Sequence, residues 1–514
     1  MTGFGGGGAS AVFIARRIAR PGSLVALGAL LLSPGLWLGP SLDASVFVLS
    51  GMRIRAGFVP YADLWDHKPP GSYLLNALGQ GILPWLDPWL VAWLFTAIAT
   101  GAAIVVFERM LRSRLSALGA YFWSVVGLVL IASFPVALGG GLTESLAILP
   151  LLVVLSAVAR PVPAPSLRLS AASGLMLAVA CLISLQAVPP AAVLFVAVAV
   201  RRDGCVPALK RGAAAVAGGV VLPIAIAGWL VARGAMGDAL DQLLTFNAAY
   251  RNASSRAEDM SLVTVLLLVC LAIPAAITIG RMIRHPRAFD RIDWVCLAWT
   301  GLYALYIAYQ GRIYLHYWIV IVPPVVWLAG LGAGWMTAGA KAPDRKVRIA
   351  ATGLLASTAF AMSVSLLVVV GLQTAFGRYN ADRVLESDAA SWIDANTPAS
   401  ATLFVWGHDT SMYLLANRTP YDRYVYDFPL VTDGYAPEDH LTALLADWTA
   451  SPPSVIVESL AADAPLLRTP DPGLSTPDYP ALDALRAFVR SHYKLVSGSA
   501  RYDVYVPVAS GPSR

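Results

Sequence analysis

The sequence predicts an α-helical polytopic membrane protein with a C-terminal α/β domain, and three observations support this prediction. The 514 residues are 57% hydrophobic and only 13% charged, whereas a soluble protein carries roughly twice that charged fraction. Apolar runs of membrane-spanning length recur from the N-terminus to residue 374. Beyond residue 374, short helical and strand patterns alternate instead.

The apolar runs define the transmembrane part of the chain, residues 1–374. Their length predicts about eleven transmembrane helices. The predicted spans are Ser23–Pro40, Pro88–Met110, Leu115–Leu138, Leu142–Ala159, Leu169–Gln186, Val188–Val200, Gly212–Ala232, Ser261–Gly280, Trp294–Tyr309, Tyr314–Ala338 and Ile349–Thr374. The fifth and sixth spans are interpreted as a short hairpin that is broken at Pro189 and Pro190.

Basic residues alternate between the loops, and this pattern predicts the orientation. Lys and Arg are concentrated in every second loop, which places those loops in the cytoplasm. The N-terminus is therefore predicted to be cytoplasmic and the C-terminal region extracytoplasmic. If Gly71–Leu86 crossed the membrane, the basic loop after Pro88–Met110 would lie outside. Gly71–Leu86 is therefore predicted to be an amphipathic helix at the outer interface, within a first external loop of residues 41–87. The net charge of +6 resides in these loops, so nucleic acid is not a predicted partner.

The C-terminal region, residues 375–514, is predicted to form a small α/β domain outside the membrane. The predicted helices are Ser387–Asn396, Thr410–Asn417, His440–Trp448 and Leu482–His492, and the predicted strands are Thr402–Trp406, Arg423–Tyr426, Ser454–Glu458 and Arg501–Val506. The Ala-, Gly-, Arg- and Pro-rich composition is typical of a GC-rich bacterium, so the predicted location is a bacterial plasma membrane.

The polar residues gather at the predicted outer face rather than inside the spans. A proton-coupled transporter would hold ionisable side chains near the membrane midplane, and the span interiors contain essentially none. The stretch from Asp43 to Tyr73 is interpreted as a polar external loop. It contains Asp43, Arg53, Arg55, Asp63, Asp66, His67 and Lys68. This distribution favours chemistry at the outer interface over passage through the membrane.

The loop also carries a recognisable motif. Asp43, followed by the DHKPPGSY sequence of residues 66–73, resembles the first external loop of the family 39-type glycosyltransferases. This family has the GT-C fold and includes protein O-mannosyltransferases and aminoarabinose transferases of lipid A. Segments around Glu144 and His316, and the start of the C-terminal region at 404–426, resemble its bacterial branch. Many members have Asp-Glu at the first position, whereas this chain has Asp43-Ala44.

The resemblance implies a membrane glycosyltransferase of the cell envelope that moves a monosaccharide from a polyprenyl-phosphate donor, with inversion. The acceptor would be a hydroxyl of a lipid, glycan or protein. Asp43 is the implied general base, and Lys68 is the implied ligand of the departing phosphate. Further candidates for binding substrate or phosphate are Asp66, His67, Arg53, Arg55, Glu144, Arg312 and His316. No cofactor is certain, and a divalent metal stays open.

Several residues also have a purely structural interpretation. Asp43 would then cap or hydrate a helix end, and Lys68 would snorkel to the lipid headgroups. Glu144 would be a favourable charge at a helix N-terminus, and His408 a structural residue of the C-terminal domain. Two alternative functions also stay open. One is a flippase or transporter of lipid-linked sugars, and the other is a non-catalytic membrane scaffold.

Overall fold

The computed structural model describes residues 21–159, 165–252, 262–311, 314–338, 377–459, 464–468 and 479–508. The chain divides into two compact units. The first comprises Met1–Gly39, Ala92–Ile226 and Arg256–Ala375, and the second comprises Pro40–Val91, Ala227–Ser255 and Phe376–Arg514. Two segments that precede residue 374 thus group with the C-terminal region.

The first unit is helical. Its helices, of which the third and the tenth extend into the second unit, are Pro21–Leu32, Pro34–Leu38, Pro88–Leu111, Ala117–Ala132, Phe134–Ala137, Thr143–Ala159, Leu167–Ile183, Val188–Ala199, Cys205–Gly219, Val221–Ala232, Leu262–Arg284, Arg291–Gln310 and Val322–Ala338. Short 3-10 helices occupy Leu185–Ala187, Pro286–Ala288 and Leu315–Val320. Within the described residues, four helices are long and apolar enough to cross a membrane, namely Pro21–Leu38, Pro88–Leu111, Cys205–Ala232 and Arg291–Gln310.

The helices overlap the predicted spans, with breaks that the hydropathy pattern did not show. The first predicted span is two short helices that separate at Ser33, and Gly212–Ala232 belongs to two helices that meet at Val220. The last predicted span, Ile349–Thr374, lies outside the described residues, so the count of eleven stays a prediction.

Close backbone packing holds part of the first unit together. A Cβ atom at Gly218 would lie 2.0 Å from the carbonyl oxygen of Ala171, and one at Gly174 would lie 1.8 Å from that of Ala215. Only glycine permits this approach, which is typical of helix packing in membranes. The Leu167–Ile183 and Cys205–Gly219 helices therefore pack backbone against backbone.

Two buried charges of the first unit lie at helix ends and have partners. Asp293, in the first turn of Arg291–Gln310, is fully buried and accepts hydrogen bonds from Arg114 Nη1 at 3.0 Å and from Trp327 Nε1 at 2.9 Å. Glu108, in the last turn of its helix, pairs with Arg112. These charges are placed as the sequence predicts, at span ends rather than near the middle.

The second unit has three parts: two helices within residues 40–91, a helical segment within residues 227–255, and the sheet with its helices after residue 376. The helices are Leu42–Arg55, Gly71–Ile82, Met236–Leu240, Asp241–Phe246 (a π-helix), Asn247–Asn252, Arg378–Asn396, Ser411–Leu415, Phe428–Val431, Pro437–Ala450 and Pro480–His492. The strands are β1 Thr402–Trp406, β2 Thr419–Pro420, β3 Val455–Ser459, β4 Tyr493–Gly498 and β5 Tyr502–Pro507.

The five strands form one mixed sheet in the order β2-β1-β3-β5-β4. β1 runs parallel to β2 and β3, whereas β5 is antiparallel to β3 and β4. Trp406 and Trp448 are completely buried in the core between the sheet and its helices. The alternation of helices and strands in the sequence thus does correspond to an α/β arrangement.

Two local predictions are wrong. The stretch after Asp43 is not a loop, because Leu42–Arg55 is a helix; Ser41 caps it by accepting a hydrogen bond from the Ala44 amide at 3.3 Å. Its apolar residues are buried, which stabilises the helix despite the flanking charges. Arg423–Tyr426 is not a strand, since its groups bond to the segment 61–66 instead of to the sheet.

Candidate active site

Asp43 and Lys68 form an ion pair in the second unit. Asp43 lies in the first turn of the Leu42–Arg55 helix, and its Oδ1 accepts a hydrogen bond from Lys68 Nζ. The Asp43 side chain is 36% exposed and that of Lys68 is 23% exposed, so both remain within reach of a ligand. Lys68 Nζ also lies 5.0 Å from the centroid of the Phe47 ring. The structure therefore brings together the predicted base and the predicted phosphate ligand.

The carboxylate of Asp66 holds the loop that precedes Lys68. It accepts hydrogen bonds from the Tyr73 hydroxyl at 2.6 Å, the Tyr426 hydroxyl at 2.7 Å and the His67 amide at 2.7 Å. Asp66 is only 1% exposed. A carboxylate that is buried and bonded by three donors has a structural task, so it is not available as a base for a substrate.

Two tyrosine hydroxyls contact the backbone of Lys68. Its carbonyl oxygen accepts a hydrogen bond from the Tyr61 hydroxyl at 2.9 Å, and the Tyr73 hydroxyl, which donates its proton to Asp66, lies 2.9 Å from the same oxygen. Burial, and after it the charge of Asp66, raises the pKa of both tyrosines well above the ordinary value, so both stay protonated donors at neutral pH. Two prolines follow Lys68, and they restrict the backbone before the Gly71–Ile82 helix begins.

His67 packs into an aromatic cluster, which consists of Trp65, His67, Phe246, Tyr250 and Tyr426. The ring centroid of His67 lies 5.1 Å from that of Phe246 and 5.4 Å from that of Tyr250. Trp65 contacts Phe246 edge to face at 4.6 Å. His67 Nδ1 lies 3.4 Å from both Asp66 Oδ1 and the Tyr426 hydroxyl. The imidazole is therefore fixed beside Lys68.

Arg53 and Arg55 lie in the last turn of the helix that begins beside Asp43. At a rise of about 1.5 Å per residue, they are about 15 to 18 Å from Asp43 along the helix axis. The Arg53 guanidinium stacks 3.4 Å from the centroid of the Phe58 ring, and burial lowers its pKa. Because this segment is a helix, the structure does not bring the two arginines to the Asp43–Lys68 pair.

Glu144 and His316 belong to the first unit. Glu144 lies in the first turn of Thr143–Ala159, is 4% exposed and accepts a hydrogen bond from Ser184 Oγ at 3.2 Å. His316 is 9% exposed, and its ring stacks on Tyr314 with a centroid separation of 5.5 Å. Arg312, the remaining candidate, lies outside the described residues.

The tyrosines that hold the loop were not predicted as site residues from the sequence. Tyr61 precedes the motif, Tyr73 is its last residue, and Tyr426 lies in the 404–426 segment that carries part of the family resemblance. Nearby, His408 Nε2 lies 3.1 Å from Oδ1 of the fully buried carboxylate of Asp427. The aromatic residues close to the charged motif were the sequence feature that could have indicated these tyrosines. Their spacing does not reveal that Asp66 and Lys68 are the groups they contact.

The two carboxylates closest to Lys68 have partners within the protein. The Asp43 carboxylate pairs with Lys68 and the Asp66 carboxylate with tyrosines. Among the described residues, no group of three or more His, Cys, Asp or Glu side chains could hold a metal ion.

Comparison with known proteins identifies the fold. No protein-family model and no curated protein matches the sequence. The structure of ArnT from Cupriavidus metallidurans bound to undecaprenyl phosphate is 17% identical, with a TM-score of 0.62 over 95% of this chain and 98% of that one. The apo structure of the same protein is also 17% identical, with a TM-score of 0.56 over 92% and 94% of the two chains.

ArnT is a GT-C aminoarabinose transferase. The similarity covers nearly the full length of both chains, so the chain described here has the GT-C fold. Together with the apolar helices, this fold defines a membrane-embedded protein. The prediction of a GT-C fold from the motifs around Asp43 and Lys68 is confirmed.

Proposed function

We propose that the protein is a membrane glycosyltransferase that moves a monosaccharide from a polyprenyl-phosphate donor to an acceptor hydroxyl, with inversion. The ion pair between Asp43 and Lys68 is the observation that carries the proposal. It combines, on a GT-C fold, a carboxylate that accepts a proton and a cation that binds a phosphate. The undecaprenyl phosphate bound to ArnT, a protein of the same fold, supports a donor of this class.

The reaction assigns one task to each residue. The acceptor oxygen attacks the anomeric carbon from the face opposite to the phosphate, and its proton passes to the Asp43 carboxylate. A new carbon–oxygen bond forms while the bond between the anomeric carbon and the phosphate oxygen breaks. The bonding electrons leave with the polyprenyl phosphate, which gains one negative charge. Lys68 stabilises this charge as it develops in the transition state.

The ion pair also suggests the order of events. A carboxylate that is bonded to an ammonium group is a weaker base than a free one, because the proton must compete with the cation. When the donor phosphate binds Lys68, the lysine exchanges one anionic partner for another. Asp43 then becomes available for the acceptor hydroxyl. Binding of the donor thereby prepares the base, so we propose that the donor binds before proton transfer.

The buried loop supports these roles because it holds Lys68 in place. Tyr61 and Tyr73 contact its carbonyl oxygen, and Tyr73 donates a hydrogen bond to the carboxylate of the nearby Asp66. A cation that is already oriented needs little reorganisation when charge develops on the leaving phosphate. We propose that the outer face of a bacterial plasma membrane is the site of reaction, where the prenyl chain of the donor stays in the bilayer.

The experiment that tests the proposal is mass spectrometry of lipid extracts from cells lacking the protein. We expect a polyprenyl-phosphate sugar to accumulate, and wild type to restore its consumption. Lys68→Gln is expected not to restore it, whereas Lys494→Gln, which alters an exposed lysine on β4, is expected to restore it fully. If Lys68→Gln clears the accumulated polyprenyl-phosphate sugar as completely as wild type does, the proposal is overturned.

A further inference from the structure

Tyr426 is one of the residues of the C-terminal region that contact the loop before Lys68. It is 5% exposed, and its hydroxyl donates a hydrogen bond to Asp66 Oδ1 at 2.7 Å. The same hydroxyl lies 3.4 Å from His67 Nδ1. Burial, and next the charge of Asp66, raises the pKa of Tyr426 well above the ordinary value, so the hydroxyl keeps its proton at neutral pH.

The backbone around Tyr426 serves the same loop. The Trp65 amide donates to the carbonyl oxygen of Arg423 at 2.8 Å, and Arg423 Nη2 donates to the carbonyl oxygen of Tyr61 at 2.6 Å. The first of these bonds uses a backbone carbonyl that a strand would have paired within the sheet. The segment 423–426 therefore forms part of the scaffold of residues 61–68.

A continuous set of bonds connects Tyr426 with the backbone of Lys68. Tyr426 and Tyr73 donate to the two oxygens of the Asp66 carboxylate, and Tyr73 also lies 2.9 Å from the Lys68 carbonyl oxygen. When the Tyr426 hydroxyl is removed, the His67 amide still donates to Asp66 Oδ1. The buried carboxylate nevertheless loses one of the three hydrogen bonds described above, so Asp66 is held less firmly.

We propose that Tyr426 is a positioning residue that, through Asp66, holds Lys68 in the orientation that binds the phosphate of a polyprenyl-phosphate donor. The C-terminal region is in this way a part of the donor site, although Tyr426 itself does not touch the substrate. The inference rests on the proposed function, because it requires that Lys68 binds phosphate. It adds a residue and a role for the C-terminal region.

The test is the binding of undecaprenyl phosphate, without a sugar, to the purified full-length protein in detergent. We expect Tyr426→Phe to weaken binding about tenfold, the effect of one hydrogen bond to a charged group. Tyr493→Phe is the matched control. Tyr493 is also 5% exposed and also donates one buried hydrogen bond, at 2.7 Å to the carbonyl oxygen of Pro453. The two variants should therefore show similar losses of melting temperature but different losses of affinity.

The outcomes separate the inference from the proposed function. If Lys68→Gln weakens binding but the Tyr426→Phe and Tyr493→Phe proteins bind with equal affinity, the positioning role of Tyr426 is overturned and the proposed function is not. Unchanged binding by Lys68→Gln would instead overturn the phosphate role of Lys68, and the inference would fall with it. Asp66→Asn is a second variant with the same shape as the native side chain. It should weaken binding at least as much as Tyr426→Phe, because an amide offers only one acceptor oxygen.

Discussion

Replacement of Gly51 by alanine changes the spacing of the two helices that frame the Asp43–Lys68 pair. Gly51 lies in the Leu42–Arg55 helix, which carries Asp43, and packs against the Gly71–Ile82 helix, which begins three residues after Lys68. A Cβ atom at position 51 would lie 2.7 Å from the Cβ atom of Asn76. Ordinary carbon–carbon contacts are about 3.5 to 4.0 Å, so the helices must separate by about 1 Å.

That displacement sets the size of the expected effect. A shift of about 1 Å in a reacting group lowers a rate by about a hundredfold, and overpacking of this kind destabilises a protein by about 1 to 3 kcal/mol. The matched control is Gly81→Ala, in the Gly71–Ile82 helix. A Cβ atom at position 81 would have no neighbour within 4 Å, so this variant should keep its activity and gain up to about 1 kcal/mol from helix propensity.

The assay is consumption of the accumulated polyprenyl-phosphate sugar by membranes that contain each variant at equal amounts, followed by mass spectrometry. A melting curve in detergent is recorded beside it. We expect Gly51→Ala to be slow and less stable, and Gly81→Ala to match wild type. Equal rates for Gly51→Ala and Gly81→Ala would refute the claim that the spacing of these two helices controls the site.

Three further predictions concern stability. Gly218→Ala should lower the melting temperature in detergent, because the new methyl group would lie 2.0 Å from the Ala171 carbonyl oxygen. Gly212→Ala, whose new methyl group has its nearest neighbour at 3.6 Å, should not lower it. Equal melting temperatures of the two variants would contradict the packing described. Burial raises the pKa of Glu386 above its ordinary value of 4.5, so the folded state binds more protons than the unfolded state as pH rises from 4.5. Wild type should therefore lose stability relative to Glu386→Gln between about pH 4.5 and neutrality, measured as urea midpoints, and parallel curves would exclude this. Glu458→Ala removes the acceptor for the amides of residues 466–468 and should destabilise the sheet region by about 3 kcal/mol or more, measured by urea unfolding; a loss below about 1 kcal/mol would contradict it.

The helices of the first unit were the part of the fold that the sequence predicted best. A run of apolar residues specifies a membrane helix almost by itself, because an exposed backbone is not tolerated in lipid. Thr143–Ala159 starts one residue from the predicted start and ends at the predicted residue. Breaks such as the one at Ser33 were not predicted, because both halves of the run are equally apolar.

The second unit was harder to predict because long-range contacts define it. Leu42–Arg55 mixes charges with apolar residues and shows little amphipathic periodicity, so it was interpreted as a loop. Tyr426 and Asp66 are separated by 360 positions, and no local pattern relates them. The strand predicted at Arg423–Tyr426 had suitable residues, but their hydrogen bonds go to the segment 61–66.

The candidate site was predictable to the extent that its motif is local. Lys68 was chosen for its place in the DHKPP sequence and Asp43 for its place upstream, and the two lie in contact. Their catalytic roles stay predictions. Arg53 and Arg55 are predicted phosphate ligands because they are cations of the same polar stretch, but the helix between them and Asp43 carries them away from it.

The most direct test of the central claim is the release of free polyprenyl phosphate in isolated membranes that contain the protein and also supply the acceptor. The donor would be the polyprenyl-phosphate sugar isolated from cells lacking the protein. Asp43→Asn should lower the rate about a hundredfold to ten-thousandfold, as expected for loss of a general base, while the donor still binds. Asp87→Asn, a change in a carboxylate that caps the Pro88–Leu111 helix, should leave the rate unchanged. If Asp43→Asn releases polyprenyl phosphate as fast as Asp87→Asn, Asp43 is not the base and the account is contradicted.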